Sequence, residues 1–209
     1  MDNGEAALAT RSQRRRQRTR ARIVEAAERL MGQRGVEAVT IQDITEAADV
    51  GHGTFYLHFE SKAEVLRPLI DQRGARVHEQ VDRATRGDRD PALRFGTGIR
   101  IALRGIARDP IWNWYVFQSG TPFRQLGDGM GAPPVEDMNR GIASGRFQVR
   151  DLRATWSFVD GALIGVLTAC NRGVLGGDAA EITAELVLRS LGVPTDEAAR
   201  IARVPLELS

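Results

Sequence analysis

The sequence has few of the features that mark several common classes of protein. Its 209 residues include one cysteine, Cys170, so no disulfide can form within the chain, which fits a reducing compartment. No stretch approaches the roughly 18 consecutive apolar residues of a membrane-spanning helix. The basic N-terminal segment is not followed by the apolar segment of a signal peptide. We therefore expect a cytoplasmic protein that does not enter a membrane.

Motifs of familiar enzymes are also missing. The chain contains no Gly-x-Ser-x-Gly, no phosphate-binding glycine loop followed by Lys-Ser/Thr, and no His-Glu-x-x-His. Its three histidines are His52, His58 and His78. The first two are six residues apart, which puts them on different faces of a helix, so we expect no metal site. The sequence thus predicts a protein that is not an enzyme and needs no cofactor.

Positive charge is unevenly distributed, although the net charge is only +2. Lys62 is the single lysine, beside 28 arginines. Seven arginines and no acidic residue fall within one short N-terminal segment: Arg11, Arg14, Arg15, Arg16, Arg18, Arg20 and Arg22. We expect residues 1–17 to form a disordered basic arm. Such an arm is either a solubilising tail or a phosphate-binding segment, and the charge run alone does not decide between them.

The segment that follows has the pattern of two short helices joined by a tight turn. Ile41 and Ile44 are spaced as the apolar side of a first helix. Thr40 is a suitable N-cap for that helix, with Asp43 three residues later as in a capping box. Gly51 lies in the turn, where a glycine can take a positive φ without steric cost. The pattern predicts a helix that begins after Thr40 and ends before Gly51.

The second short helix has one buried side and one slim, hydrogen-bonding side. Phe55 and Phe59, four residues apart, form its predicted buried stripe. The outer side is left to His52, Gly53, Thr54, Tyr56, Leu57 and His58. A short helix of this kind beside a basic segment is typical of a helix-turn-helix that enters a DNA groove.

Individual DNA contacts can be assigned by side-chain type. We expect phosphate contacts from Thr40, Tyr56, His58 and Lys62, joined by Arg18 and Arg20 from the basic segment. We expect base-edge contacts from His52, Gly53, Thr54 and Leu57. The apolar Leu57 suits the methyl group of a thymine.

Residues 53–62 resemble the TetR family of bacterial transcriptional regulators. The family pattern Gly-Thr-x-Tyr-x-His-Phe-x-x-Lys is matched throughout this stretch, and the resemblance covers about residues 18–67. It departs from the pattern in the turn, where Asp49 stands for the usual Gly and Gly51 for the usual Ser. The resemblance implies an all-α fold: a three-helix helix-turn-helix domain at 18–67 and a larger helical ligand-binding and dimerisation bundle at 68–209.

The rest of the chain has helical spacing, with no β-type alternation and no internal repeats. Predicted helices cover about residues 61–86, 91–108, 111–119, 134–144, 152–172 and 179–191, and Thr195 begins one more. A loop rich in glycine and proline occupies about residues 120–134, and loops of this length are often functional.

Aromatic residues are concentrated in the C-terminal half. The candidates for an effector pocket are Trp112, Tyr115, Phe117, Phe123, Trp156 and Phe158. Ordinary core packing is the alternative interpretation for each of them. The resemblance implies that an effector binds between the C-terminal helices, and an aromatic wall suits a small hydrophobic molecule.

The last two long helices have features of an interface between copies of the chain. Gly161 and Gly165, four residues apart, make a smooth strip where another helix can approach closely. Ile164, Ile182 and Leu186 supply apolar side chains nearby. The resemblance implies that these helices pair with their twins in a four-helix dimer interface, and burial within one chain is the alternative. A dimer would read a palindrome with its two recognition helices.

These observations predict a ligand-responsive transcriptional regulator. We expect a repressor that binds a palindromic operator as a homodimer and is released by a small-molecule effector. Three alternatives stay open: a transcriptional activator, an effector-independent DNA-binding protein of the same fold, and a helical-bundle enzyme or ligand carrier with a basic arm.

Overall fold

The structure is a computed structural model that describes residues 3–119 and 133–206. All regular secondary structure in these two ranges is helical, which confirms the predicted all-α class. The chain forms two compact units, Met1–Ile70 and Asp71–Ser209. The boundary follows residue 70, three residues beyond the end of the expected DNA-binding domain at 67.

The N-terminal unit is a small helical domain. It contains α1 (Asn3–Arg34), α2 (Ile41–Ala47), α3 (His52–Tyr56) and the first residues of α4 (Lys62–Ala84). Its fully buried large side chains are Ile23, Met31, Ile44, Phe55, Phe59 and Leu66. Helix α2 begins with the expected capping box. The hydroxyl of Thr40 accepts from the Asp43 backbone N–H at 3.1 Å, and the Asp43 carboxylate accepts from the Thr40 N–H at 2.8 Å.

Helix α1 is much longer than the sequence predicted. The expectation of a disordered arm at residues 1–17 is wrong for residues 3–17, because α1 begins at Asn3 rather than near Arg18. The segment contains no proline and is rich in alanine, arginine and glutamine, which favour helices. A tertiary contact adds to this propensity: Nη2 of Arg16 donates to the backbone oxygen of Leu57 at 3.3 Å. Packing of this kind stabilises helices that are marginal alone.

The turn between α2 and α3 differs from the expectation at Gly51. The positive φ falls on Asp49, at 49°, while Gly51 is extended with φ −69° and serves as the N-cap of α3. Asp49 stands where the TetR pattern usually has glycine, and aspartate tolerates the left-handed region better than most residues do. Since Gly51 replaces the usual serine, no side chain caps α3.

The C-terminal unit is a bundle around one central helix. After the remainder of α4 come α5 (Pro91–Arg108), α6 (Pro110–Ser119), α7 (Pro133–Ala143), α8 (Leu152–Asn171), α9 (Ala179–Ser190) and α10 (Thr195–Ala202). Helix α5 packs against each of the five later helices in the described part of the chain. The predicted ranges agree with these bounds to within one or two residues, and most of the predicted loop at 120–134 lies outside the described residues.

Glycines in α5 allow neighbouring helices to pack closely against it. A Cβ atom on Gly96 would lie 2.9 Å from Cδ1 of Leu188 in α9 and 3.1 Å from Cγ2 of Ile201 in α10. A Cβ atom on Gly105 would lie 2.9 Å from the ring of Trp112 in α6. The small residues therefore set how near these three helices come to α5.

Buried arginines on α5 form ion pairs that apolar spacing did not predict. Arg94 is 5% exposed and binds Asp82 at 2.8 Å and Asp137 at 3.0 Å, which ties α5 to α4 and α7. Arg100 binds Glu181 of α9 at 3.1 Å. Removing one partner of such a pair leaves a buried charge, so these contacts help to specify which helices meet.

Candidate functional site

Helix α3 presents an outer face that its own unit does not cover. The rings of Phe55 and Phe59 are buried, with centroids 5.9 Å apart. On the opposite side, Tyr56 is 50% exposed and Leu57 is 72% exposed. His52 and Gly53 are exposed as well, and Thr54 is half-buried. The expected inner and outer faces are present, while the DNA contacts themselves stay predictions.

The polar groups of this face are held in place by ring contacts. The rings of His52 and Tyr56 meet edge to face, with centroids 5.2 Å apart. Tyr56 also contacts the buried ring of Phe55 in the same manner, at 5.4 Å. Because the Tyr56 ring is supported on two sides, its hydroxyl has a restricted position before any partner arrives.

His58 lies half-buried where α3 ends. Burial lowers the pKa of the imidazole, and the positive charges of Arg16 and Arg20 lower the pKa further. The ring is therefore neutral at pH 7, with one N–H donor that could serve a phosphate oxygen.

The hydroxyl of Thr40, expected to bind phosphate, is already used in the capping box. It donates to the Asp43 carboxylate at 2.5 Å while it accepts from the Asp43 N–H. The hydrogen bonds from Thr40 lower the pKa of the Asp43 carboxyl. Since a hydroxyl has one proton, a phosphate contact would require that proton to turn away from Asp43.

Lys62, also expected to bind phosphate, has a structural role that the sequence did not indicate. Its ammonium donates to the backbone oxygens of Val36 at 2.8 Å and Val39 at 3.1 Å. These bonds fasten the first residue of α4 to the loop that follows α1. The phosphate contact expected of Lys62 stays a prediction.

Three arginines of α1 contact the helix-turn-helix. Besides the bond from Arg16 to Leu57, the guanidinium of Arg20 lies 4.7 Å from the centroid of the Phe59 ring. Nη2 of Arg22 donates to the backbone oxygen of Ala48, to that of Asp49 at 3.1 Å and to the Asp49 carboxylate at 3.2 Å. The other four of the seven are Arg11, Arg14, Arg15 and Arg18, and the side chains of all seven are exposed.

The described candidate effector residues lie in different surroundings. Trp112 is buried against Gly105 in the α5–α6 contact, and the Trp156 ring meets Phe95 edge to face at 6.0 Å. Tyr115 is half-buried, Phe117 is 37% exposed, and Phe123 lies outside the described residues. Trp112 therefore belongs to the packed core, where its contact with α5 accounts for its position.

Phe158, another candidate for the effector group, lies on an exposed side of α8. It is 55% exposed, whereas Val159 and Leu163 are buried. At helical spacing, Phe158 shares that side with Gly161 and Gly165, both exposed. It therefore lies beside two candidate interface residues, and its role in effector binding stays a prediction.

Two buried polar side chains lie inside the C-terminal unit. Asp160 of α8 is 5% exposed and Thr97 of α5 is 1% exposed. The Thr97 hydroxyl has no hydrogen-bond partner among the described residues. Buried polar groups of this kind usually have a partner, so Thr97 is a further candidate for a polar contact with a bound molecule. Sequence reasoning had no signal for Thr97, because threonine is common on helices at any depth.

The candidate dimer residues form an exposed apolar surface. On α9, Ile182 is 49% exposed and Leu186 is 54% exposed, while Ile164 of α8 is half-buried. Among the described atoms, none lies within 4 Å of a Cβ built on Gly161 or Gly165. Packing inside one chain therefore does not require glycine at either position.

None of the helices in the described residues combines the length and the apolar character needed to cross a membrane. No group of three or more potential metal ligands occurs in the same ranges.

Comparison with known proteins identifies the family. A model described as bacterial regulatory proteins of the tetR family matches residues 23–69. A second, described as the C-terminal domain of tetracyclin repressor-like proteins, matches residues 90–204. The chain belongs to the TetR family. The two matched segments lie on either side of the boundary between the two units.

Individual relatives agree with this assignment. The crystal structure of RolR in complex with resorcinol is 33% identical with a TM-score of 0.79, and the match covers 93% of this chain and 98% of that one. TtgR, a transcriptional regulator of Pseudomonas putida, is 42% identical over 79 residues, which are 38% of this chain and 36% of TtgR. The repressor KstR of Mycolicibacterium smegmatis is 31% identical over 107 residues, 51% of each chain. The chain thus matches about a third to a half of the length of these two curated relatives.

Proposed function

We propose that this TetR-family protein is a transcriptional repressor that binds a palindromic operator as a homodimer in the cytoplasm. The exposed face of α3 carries the proposal. A five-residue helix with a buried Phe55 and an outward Tyr56 and Leu57 has the size to enter a major groove. The relatives named above as regulators and repressors support the same reading.

Selection of bound fragments from genomic DNA at physiological salt, followed by footprinting, tests the proposal. We expect a palindromic site with protection on one or two helical turns, since two recognition helices read half-sites about 34–36 Å apart or a multiple of that distance. A site overlapping a promoter favours repression, and a site upstream of it favours activation. Weak binding that salt abolishes and that ignores sequence would contradict the proposal.

Tyr56 offers a direct test of the recognition face. Tyr56→Ala removes both the hydroxyl and the ring that supports His52, so we expect a loss of operator affinity of about tenfold or more. Tyr56→Phe keeps the ring and isolates the hydroxyl. Binding of both variants is measured by gel shift beside their circular dichroism. Unchanged operator affinity of a folded Tyr56→Ala protein would remove Tyr56 from the interface.

We infer that α8 and α9 form the dimer interface. Each glycine inside a helix costs about 1 kcal/mol relative to alanine. No contact with the described residues offsets this cost at Gly161 and Gly165, where a Cβ would meet open space. A partner helix that approaches closely would offset it, and Phe158, Ile182 and Leu186 provide the surrounding apolar surface.

Sedimentation velocity of Leu186→Asp tests this interface. An acidic residue in the centre of an apolar contact should shift the protein toward monomer by about tenfold or more in dissociation constant. Ala107→Asp, an exposed apolar-to-acid change on α5, is the matched control and should leave the dimer intact. Equal sedimentation of both variants and the wild type would place the interface elsewhere.

We further propose that a small hydroxylated aromatic molecule is the effector. RolR, which was crystallised with resorcinol, resembles this chain over nearly its full length. In this chain the buried Thr97 hydroxyl and Asp160 carboxylate would suit the hydroxyls of such a molecule, and the aromatic pair of Phe95 and Trp156 suits its ring.

Thermal unfolding and calorimetric titration with resorcinol test the effector class. Lauroyl-CoA, present in the structure of a 25% identical FadR, is the competing class of ligand. A ligand at about 100 times its dissociation constant stabilises the folded state by roughly 2.7 kcal/mol, which a melting curve resolves. We expect resorcinol or a related phenol to raise the melting temperature and to release operator DNA. Stabilisation by lauroyl-CoA alone would replace the phenolic class with an acyl one.

A further inference from the structure

The arginines of α1 that contact the helix-turn-helix bind the carboxyl ends of its two short helices. Arg22 donates to the oxygen of Ala48, which is the C-cap of α2. Arg16 donates to the oxygen of Leu57, which is the C-cap of α3. Between them in sequence, Arg20 lies over the ring of Phe59, two residues beyond that cap.

These contacts place positive charge at the carboxyl ends of α2 and α3, which have no basic residue of their own there. The last carbonyl groups of a helix have no partner within it and carry partial negative charge, which a nearby cation stabilises. Neither α2 nor α3, both described over their whole length, has a basic residue in its last turn. At seven and five residues, both are too short to be stable alone. Helix α1 therefore provides from outside the cations that each would otherwise need.

We propose that Arg16, Arg20 and Arg22 are positioning residues. They hold the recognition helix in the orientation needed for base contacts and do not bind phosphate. The inference rests on the DNA-binding function proposed above. It changes the expected role of Arg20, which the sequence assigned to phosphate. Phosphate binding by α1 is then left to its other arginines, Arg18 among them. Arg16 and Arg20 are four residues apart and share one face of α1, while Arg18 and Arg22 share another.

The two roles differ in how DNA binding depends on salt. Each phosphate neutralised by a cation adds about 0.9 to the slope of log affinity against log salt, on any DNA sequence. Replacing a positioning residue should leave this slope unchanged. It should lower the affinity of the protein only for DNA whose base edges are read. In a dimer each substitution removes two cations, so loss of a phosphate ligand should lower the slope by about 1.8.

The experiment compares Arg16→Ala and Arg22→Ala with Arg18→Ala, which has the same charge change on the same helix. Affinities for the selected operator and for a random duplex of equal length are measured over a series of salt concentrations. We expect the first two variants to lose about tenfold on the operator and less than about twofold on the random duplex, with unchanged slopes. Arg18→Ala should weaken binding to the operator and to the random duplex equally, and it should lower both slopes.

Hydrogen exchange without DNA provides a second readout. Amides of residues 48–59 should exchange faster in Arg16→Ala and Arg22→Ala, and at the wild-type rate in Arg18→Ala. Slopes reduced by about 1.8 in the first two variants, or exchange unchanged in both, would overturn the inference. If the wild type itself shows no sequence preference, the proposed function fails, while the exchange rates still decide whether these arginines position α3. Arg22→Gln, a milder change, replaces Arg22→Ala if that variant does not fold.

Discussion

Asp109 joins Arg73 of α4 to the beginning of α6. One carboxylate oxygen accepts from Nε of Arg73 at 2.6 Å, and the other accepts from the backbone N–H groups of Ile111 and Trp112, both at 3.0 Å. The side chains of Arg73 and Asp109 are 10% and 28% exposed. One carboxylate therefore caps a helix and neutralises a largely buried cation at the same time.

Asp109→Ala should destabilise the protein by about 2–4 kcal/mol. The loss of a helix N-cap costs about 1 kcal/mol, and removing the partner of a largely buried charge adds more. The free energy of unfolding in urea measures the effect. Asp151→Ala is the control, because the exposed Asp151 caps α8 through the Ala154 N–H at 2.8 Å. That variant should lose only about 1 kcal/mol, and equal losses in the two proteins would show that the Arg73 contact contributes nothing.

Gly141→Ala should destabilise the C-terminal unit by about 1–3 kcal/mol. A Cβ at this position would lie 2.1 Å from Cδ2 of Phe147, whose ring is 2% exposed and has little room to move. Chemical denaturation measures the loss. The double variant with Phe147→Leu should recover part of it, because the smaller side chain makes room for the methyl group. Gly161→Ala, where a Cβ meets open space, should not destabilise a single subunit.

A third prediction concerns Asp49, the residue of the helix-turn-helix with a left-handed backbone conformation. Asp49 has φ 49°, which glycine adopts freely and a β-branched residue adopts only with strain. Asp49→Val should lower the free energy of unfolding by more than about 1 kcal/mol, and Asp49→Gly should leave it unchanged or raise it by up to about 1 kcal/mol. Thermal melts of the wild type and the two variants rank their stabilities. A stable Asp49→Val protein would mean that the turn adopts another conformation in solution.

The protonation of His58 should respond to the arginines of α1. Burial first, then Arg16 and Arg20, depress its pKa, so the unfolded chain binds this proton more readily than the folded one. The stability that neutral His58 contributes is complete above about pH 6.5, the ordinary histidine value, and is lost as the pH falls through the folded-state pKa. Arg20→Ala should raise the pKa of His58.

NMR titration of the His58 ring measures this prediction. Bound DNA should also raise the His58 pKa, because phosphates oppose the charge of the arginines. If the pKa of His58 equals that of a free imidazole in the wild type, the ring is more solvated in solution than this geometry implies.

Local patterns in the sequence were sufficient for the helices after α1 and for the buried and exposed sides of α3. The capping residues Thr40 and Asp151, the Asp90-Pro91 start of α5 and the spacing of Phe55 and Phe59 act within one helical turn. Helical period decides which side of so short a helix is buried, so the outward positions of Tyr56 and Leu57 followed directly.

Only the tertiary structure decided what the long charged side chains do. Arg16, Arg22 and Lys62 bind backbone carbonyl groups 23 to 41 residues away in sequence, where a charge pattern alone suggests phosphate. The sequence pattern was also insufficient for Phe158 and Arg94. The aromatic character of Phe158 suits a pocket and an interface equally, and the partners of the buried Arg94 lie on two other helices. Helix formation depends on neighbours along the chain, and these roles depend on which segments meet in space, which no local pattern contains.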